Sequence, residues 1–180
     1  MRTFIAIEIP GNIRDSIAEQ IETSRVKQLP VKWVAHDNLH ITLKFLGELT
    51  EATRKKVSSL LKKTVVHQIP FTATLKDFGC FPHPRRPRVL WIGVDRGADQ
   101  LTALAREVEE SLAQCGFPRE GRFHPHLTIG RVKKPCSLEG ILKHKTQSEL
   151  FKVETLVLFK STLTPQGAVY EALETFPFKK

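Results

Sequence analysis

The chain has 180 residues, 41% hydrophobic and 26% charged, a balance that excludes a disordered tail and suits a single unit with a sizeable buried core. Its 28 Lys+Arg against 19 Asp+Glu give a formal charge of +9, which favours polyanionic partners and speeds encounter with them. Cys80, Cys115 and Cys136 stand far apart without a Cys-x-x-Cys pair, which argues against a disulfide framework or cysteine zinc site and for a reduced, cytoplasmic setting.

Arg2 to Ile7 reads as a first strand. Its apolar run stops at Glu8, too short for a signal core or a membrane span. After the Pro10-Gly11 break, Ile13, Ile17 and Ile21 recur at the spacing of a helix stripe. Val31 to Ala35 reads as a short strand, Asp37-Asn38 as a turn, and His40 to Leu46 as a strand rich in apolar and β-branched residues. Thr50 can cap a helix whose face carries Val57, Leu60, Leu61 and Val65. Phe71 to Leu75 alternates like a strand. Pro82 to Arg88 holds three prolines and three arginines and is a loop, because proline removes backbone donors. It offers either an RNA-contacting edge or a plain solvated basic loop. A strand over Val89 to Val94 follows, then a helix with Leu101, Leu104, Val108 and Leu112, ending near Gly116. A strand around His126 to Ile129, a helix from Ser137, and two long strands at Phe151 to Leu163 and Ala168 to Leu173 complete the pattern.

A repeat is visible in the order of elements. Phe4 and Leu90 are 86 positions apart, in strands that each lead into a helix. His40 and His126 share that offset, each opening a His-x-Thr strand. Identity between the halves is otherwise poor, so the duplication rests on order alone. It predicts two similar lobes facing each other across a cleft.

The two strands read His40-Ile41-Thr42-Leu43 and His126-Leu127-Thr128-Ile129. Alternation puts each His and Thr on one face and the aliphatic residues on the other. With seven His and 15 Thr in the chain, roughly 0.6 His-x-Thr matches arise by chance, so one means nothing. Requiring an aliphatic residue after both His and Thr cuts that expectation about tenfold, and two such matches stand out. Two imidazoles suit phosphoester chemistry, since near neutral pH one can be neutral and take a proton while the other gives one. Threonine hydroxyls can donate to non-bridging phosphate oxygens. Arg131 offers a permanent forked donor, but strict alternation points it away from His126 unless Gly130 allows a bulge. Spacing alone leaves Arg131 open between this role and a surface one.

The paired motifs resemble those of the two-histidine (2H) phosphoesterases. The contexts His40 to Gly47 and Pro125 to Arg131, the opening Arg2 to Ile7 strand and the late Ser161 to Glu171 segment resemble the RNA 2′,3′-cyclic phosphodiesterase branch, historically called 2′-5′ RNA ligases. The resemblance implies an α+β fold, a single bilobal, pseudo-duplicated domain over residues 1–180, with antiparallel sheets lining a central cleft and helices outside. It implies His40 as proton donor, His126 as proton acceptor, and Thr42, Thr128 and Arg131 as phosphate binders. The implied substrate is RNA with 2′,3′-cyclic phosphate ends, tRNA fragments among the candidates. No cofactor, metal or membrane is implied, and a monomer is expected.

Two rivals keep a place. His124-x-His126 could put two imidazoles on one metal with His40 as a third ligand, although Pro125 constrains that pairing and no acidic residue or cysteine stands nearby. A non-catalytic basic RNA-binding module would use the charge, but it would need exposed aromatic platforms, for which only Phe45, Phe78, Phe81 and Phe123 near the motifs are candidates, and it has no use for two matched histidines.

Overall fold

The computed structural model describes residues 1–23 and 28–179. Its elements run β1 (Arg2–Glu8), α1 (Gly11–Thr23), β2 (Val31–Trp33), β3 (His40–Glu48), α2 (Glu51–Val65), β4 (Phe71–Ala73), β5 (Leu75–Phe81), β6 (Val89–Val94), α3 (Ala98–Ala113), β7 (His126–Val132), β8 (Phe151–Val153), β9 (Thr155–Thr164) and β10 (Gly167–Pro177). Short 3-10 turns at His36–Asn38 and Ile141–Lys143 interrupt the connections. The fold is α+β, with three α-helices among the described residues and strand pairings that are all antiparallel.

The helices form where apolar residues recur at helical spacing. Ile13, Ile17 and Ile21 of α1, Val57, Leu61 and Val65 of α2, and Leu101, Leu104, Val108 and Leu112 of α3 are buried in one continuous core. The Thr50 hydroxyl accepts from Thr53 N at 3.2 Å, so this cap supports the start of α2 by about 1 kcal/mol.

Two four-stranded sheets carry the molecule. The first has the order β10-β9-β1-β3 and the second β2-β7-β6-β5, while β4 and β8 form a separate pair. The strands equated by the 86-residue offset hold equivalent places, β3 lying beside β1 and β7 beside β6. The third strand of each triplet comes from the other half of the chain. β5 joins β6 in the second sheet, and β9 joins β1 in the first. The repeat is therefore reciprocal, each half lending two strands to the other's sheet, β2 and β5 in one direction and β9 and β10 in the other.

Three sequence expectations change. No helix forms from Ser137: Leu138 N is drawn to Pro84 O at 2.9 Å, Gly140 weakens helix, and only the Ile141–Lys143 turn results. The strand expected over Phe71 to Leu75 ends at Ala73, and β5 occupies Leu75–Phe81, which the hydrophobic pattern did not mark. The long strand expected over Phe151 to Leu163 is two, because β8 pairs with β4 whereas β9 pairs with β1 and β10. No helix among the described residues is long and apolar enough to cross a membrane.

Candidate active site

Register decides which side chains reach the cleft. Along β6, Gly93, Trp91 and Val89 share one face and stand opposite His126, Thr128 and Arg131. The ladder skips Ile129, a bulge that resets the alternation and brings Arg131 onto the face of His126 and Thr128. The sequence pointed to Gly130 for this irregularity; it lies one residue earlier. Gly130 serves the close approach of β2 instead, since a Cβ there would fall 2.2 Å from Val31 Cγ1.

The same device operates in β3. Glu8, Ala6 and Phe4 of β1 stand opposite His40, Thr42 and Phe45, and the ladder skips Leu43. Phe45 thus takes, in this sheet, the place that Arg131 takes in the other, 86 positions on. It is 56% exposed. Lys44, which strict alternation would put on the face of Thr42, stands opposite Ile5 and is buried at the edge of the hollow that Thr42 lines.

Each histidine is oriented by its own strand entry. His40 Nδ1 donates to Asn38 O at 2.6 Å, and His126 Nδ1 donates to His124 O at 2.6 Å. A carbonyl can only accept, so the proton of each neutral ring sits on Nδ1 and the Nε2 lone pair is left for chemistry. His40 rests against Phe4 (4.8 Å between ring centroids) and edge-on to Tyr170 (5.2 Å). His126 rests against Phe81 at 5.1 Å, with Trp91 at 5.9 Å. Burial lowers the pKa of both rings from the usual imidazole value, and the backbone carbonyls offset it only in part. A positive charge on His126 lowers His40 further, and His124 acts likewise on His126.

Thr42, His126, Thr128 and Arg131 line one hollow of about 350 Å³, together with Phe45, Arg122, Phe123 and His124. His40 lines a second hollow of about 480 Å³ with Asn38, Phe159 and Tyr170. The motif strands β3 and β7 are in contact with each other, and His40 lies near enough to His126 for the charge on one ring to act on the other. Among the described residues, the Thr42 and Thr128 hydroxyls and the Arg131 guanidinium have no hydrogen-bond or ion-pair partner. Those donors remain available to a ligand. The rings of His124 and His126 lie 6.2 Å apart and nearly parallel, with His126 Nδ1 already engaged. No cluster of three or more His, Cys, Asp or Glu placed to hold a metal occurs among the described residues.

The model of the 2′-5′ RNA ligase superfamily matches residues 13–164. A Methanocaldococcus jannaschii protein described as RNA 2′,3′-cyclic phosphodiesterase is 40% identical over 179 residues, spanning 97% of this chain and 99% of that one. This chain belongs to the 2′-5′ RNA ligase superfamily. A Thermotoga maritima superfamily relative with the same description is 35% identical over 99% of this chain and 96% of its own. The crystal structure of E. coli LigT complexed with 3′-AMP matches with a TM-score of 0.81 and 28% identity, covering 99% of this chain and 98% of that one.

Within this superfamily member, the sequence offered Phe45 only as one of four candidate stacking rings, and it missed Lys44. Their signal was present but displaced. An aliphatic fourth residue after His-x-Thr, followed by a strand that continues, conceals a bulge that alternation does not foresee.

Proposed function

We propose that the chain is an RNA 2′,3′-cyclic phosphodiesterase that opens terminal cyclic phosphates to 2′-phosphomonoesters. It acts as one unit over residues 1–180, in the cytoplasm, as a monomer, without metal or cofactor. The observation that carries this is the matched pair of imidazoles, each held by the carbonyl two residues before it with Nε2 left unengaged.

In this reading His126 Nε2 takes a proton from water as the water oxygen attacks phosphorus. His40 Nε2 gives its proton to the departing 3′ oxygen, the P–O3′ bond breaks, and the phosphate remains on O2′. Thr42, Thr128 and Arg131 donate to the non-bridging oxygens, whose negative charge grows in the transition state. Phe45 presents a flat face on the same side of β3 as Thr42, suited to the base of the terminal nucleotide. In reverse, a 5′-hydroxyl replaces water and the product is a 2′-5′ linkage. Descriptions of the relatives as RNA 2′,3′-cyclic phosphodiesterases support the substrate class, and tRNA fragments are among the RNAs that would carry such ends.

The test is digestion of an oligonucleotide 2′,3′-cyclic phosphate in EDTA, with the monoester isomers resolved by phosphorus NMR. The expected product is the 2′-phosphate. A 3′-phosphate product would exchange the roles of His40 and His126. Loss of turnover in EDTA that zinc restores would favour the metal reading, and tight RNA binding with no turnover at all would favour the binding module.

A further inference from the structure

Lys44 is among the largest fully buried side chains of the molecule, at 2% exposure. Turned inward by the bulge at Leu43, its ammonium crosses from the first sheet to the segment that follows α3. Nζ donates to Pro118 O at 2.8 Å, Glu109 Oε1 at 3.2 Å and Glu120 Oε1 at 3.4 Å. An ammonium has three donors, and all three are used. Glu109 Oε1 also accepts from Glu120 N at 2.8 Å, which closes the network.

Residues 118–125 form neither helix nor strand. They carry Arg122, Phe123 and His124 into the wall of the hollow and end at His126. Among the described residues, the hydrogen bonds that hold residues 118–120 converge on Lys44 and Glu109. Lys44 itself lies two residues after Thr42 on β3. One side chain therefore joins the strand of one motif to the root of the segment that delivers the other. Stability is a poor explanation for a buried ion pair, because an apolar group of similar shape is often as good or better. Registry between two surfaces is the better-attested use of such a group.

We infer that Lys44 is a positioning residue: it fixes the separation of the Thr42 side of the cleft from the Arg122–His126 wall. This rests on the proposed phosphodiesterase reading, since the separation matters only if one phosphate is held from both sides. A displacement of about 1 Å in such a site costs on the order of 10²-fold in rate.

The experiment compares the full chain with Lys44→Met, Lys44→Arg and Glu109→Gln. It reads thermal unfolding, kcat and KM on adenosine 2′,3′-cyclic phosphate, and the imidazole resonances of His124, His126 and the remote His36. Lys44→Met is expected to fold, to lose ~10–100-fold in kcat with KM little changed, and to move the His124 and His126 resonances while His36 stays. Lys44→Arg is expected to recover most of the loss, and Glu109→Gln to fall between. Wild-type kcat with unmoved His124 and His126 resonances in folded Lys44→Met overturns the inference. Should Lys44→Met fail to fold, the same result in Glu109→Gln overturns it. If the wild-type chain itself does not open the cyclic phosphate, the proposed function falls, while the resonances still decide whether Lys44 sets the His126 wall.

Discussion

Two imidazoles set among aromatic rings, each with only a backbone carbonyl as partner, are poor places for a positive charge. Burial therefore holds both His40 and His126 below the usual imidazole pKa. The sign matters for the rate. In the free protein the base limb fails as pH falls and His126 takes a proton, and the acid limb fails as pH rises and His40 loses one. Both limbs move down together. The pH profile of kcat/KM is expected to be a bell with its maximum below ~6.5, the ordinary value for imidazole. A bound phosphate anion favours the protonated rings, so the kcat profile should lie to its alkaline side. A kcat/KM bell centred well above that value would contradict the desolvation argument. Replacing His40 or His126 by Ala should each cost on the order of 10²–10⁴ in turnover, and the double variant should be little worse than the poorer single one. Steady-state kinetics on folded variants checks this; near-wild-type turnover in either single variant would remove the proton-transfer pair.

At the scale of elements, the site depends on paired irregularities in otherwise regular strands. Gly130 is the sharpest test, because a methyl group there meets Val31 of β2 at 2.2 Å. Gly130→Ala is expected to destabilise by ~1–3 kcal/mol as β2 is pushed outward, read as a lower melting temperature. An unchanged melting temperature would mean β2 moves freely. Much of this scale was legible. The isoleucine stripe of α1, the Thr50 cap and both His-x-Thr strands stand where the spacing put them. β5 was not legible, because Asp77 at φ 57 breaks its register and Gly79 yields its side-chain space to the Trp91 ring. Neither residue reads as strand. The division at Glu154 was hidden for another reason: apolar residues continue through it while the strand changes sheets. In the site itself, the His and Thr positions followed from alternation. Phe45 and Lys44 did not, since a bulge exchanges their faces.

At the scale of the whole molecule, the +9 charge should draw RNA to the protein in a salt-dependent way. The basic loop at residues 82–88 contributes unequally. Arg85 is already paired with Glu139 at 3.0 Å, whereas the guanidinium groups of Arg86 and Arg88 have no partner among the described residues. Removing all three arginines should lower the slope of log affinity against log salt by roughly 0.7 for each one that contacts a single-stranded backbone phosphate. Turnover of a small cyclic nucleotide should stay near wild type. An unchanged slope, measured with an oligonucleotide over a salt series, would return the loop to a solvated surface.

The reciprocal loan of strands has a consequence for the order in which the molecule becomes itself. A chain emerging from the ribosome through β7 already carries both histidines, yet β1 still lacks β9 as its neighbour. The ring of Tyr170 that edges His40 lies further on, in β10. Such a chain also shows an unpaired strand edge, which invites association rather than catalysis. Competence to act on RNA therefore waits for the strands made last, and a chain cut short after its second motif has both reacting groups but no finished place to hold the first.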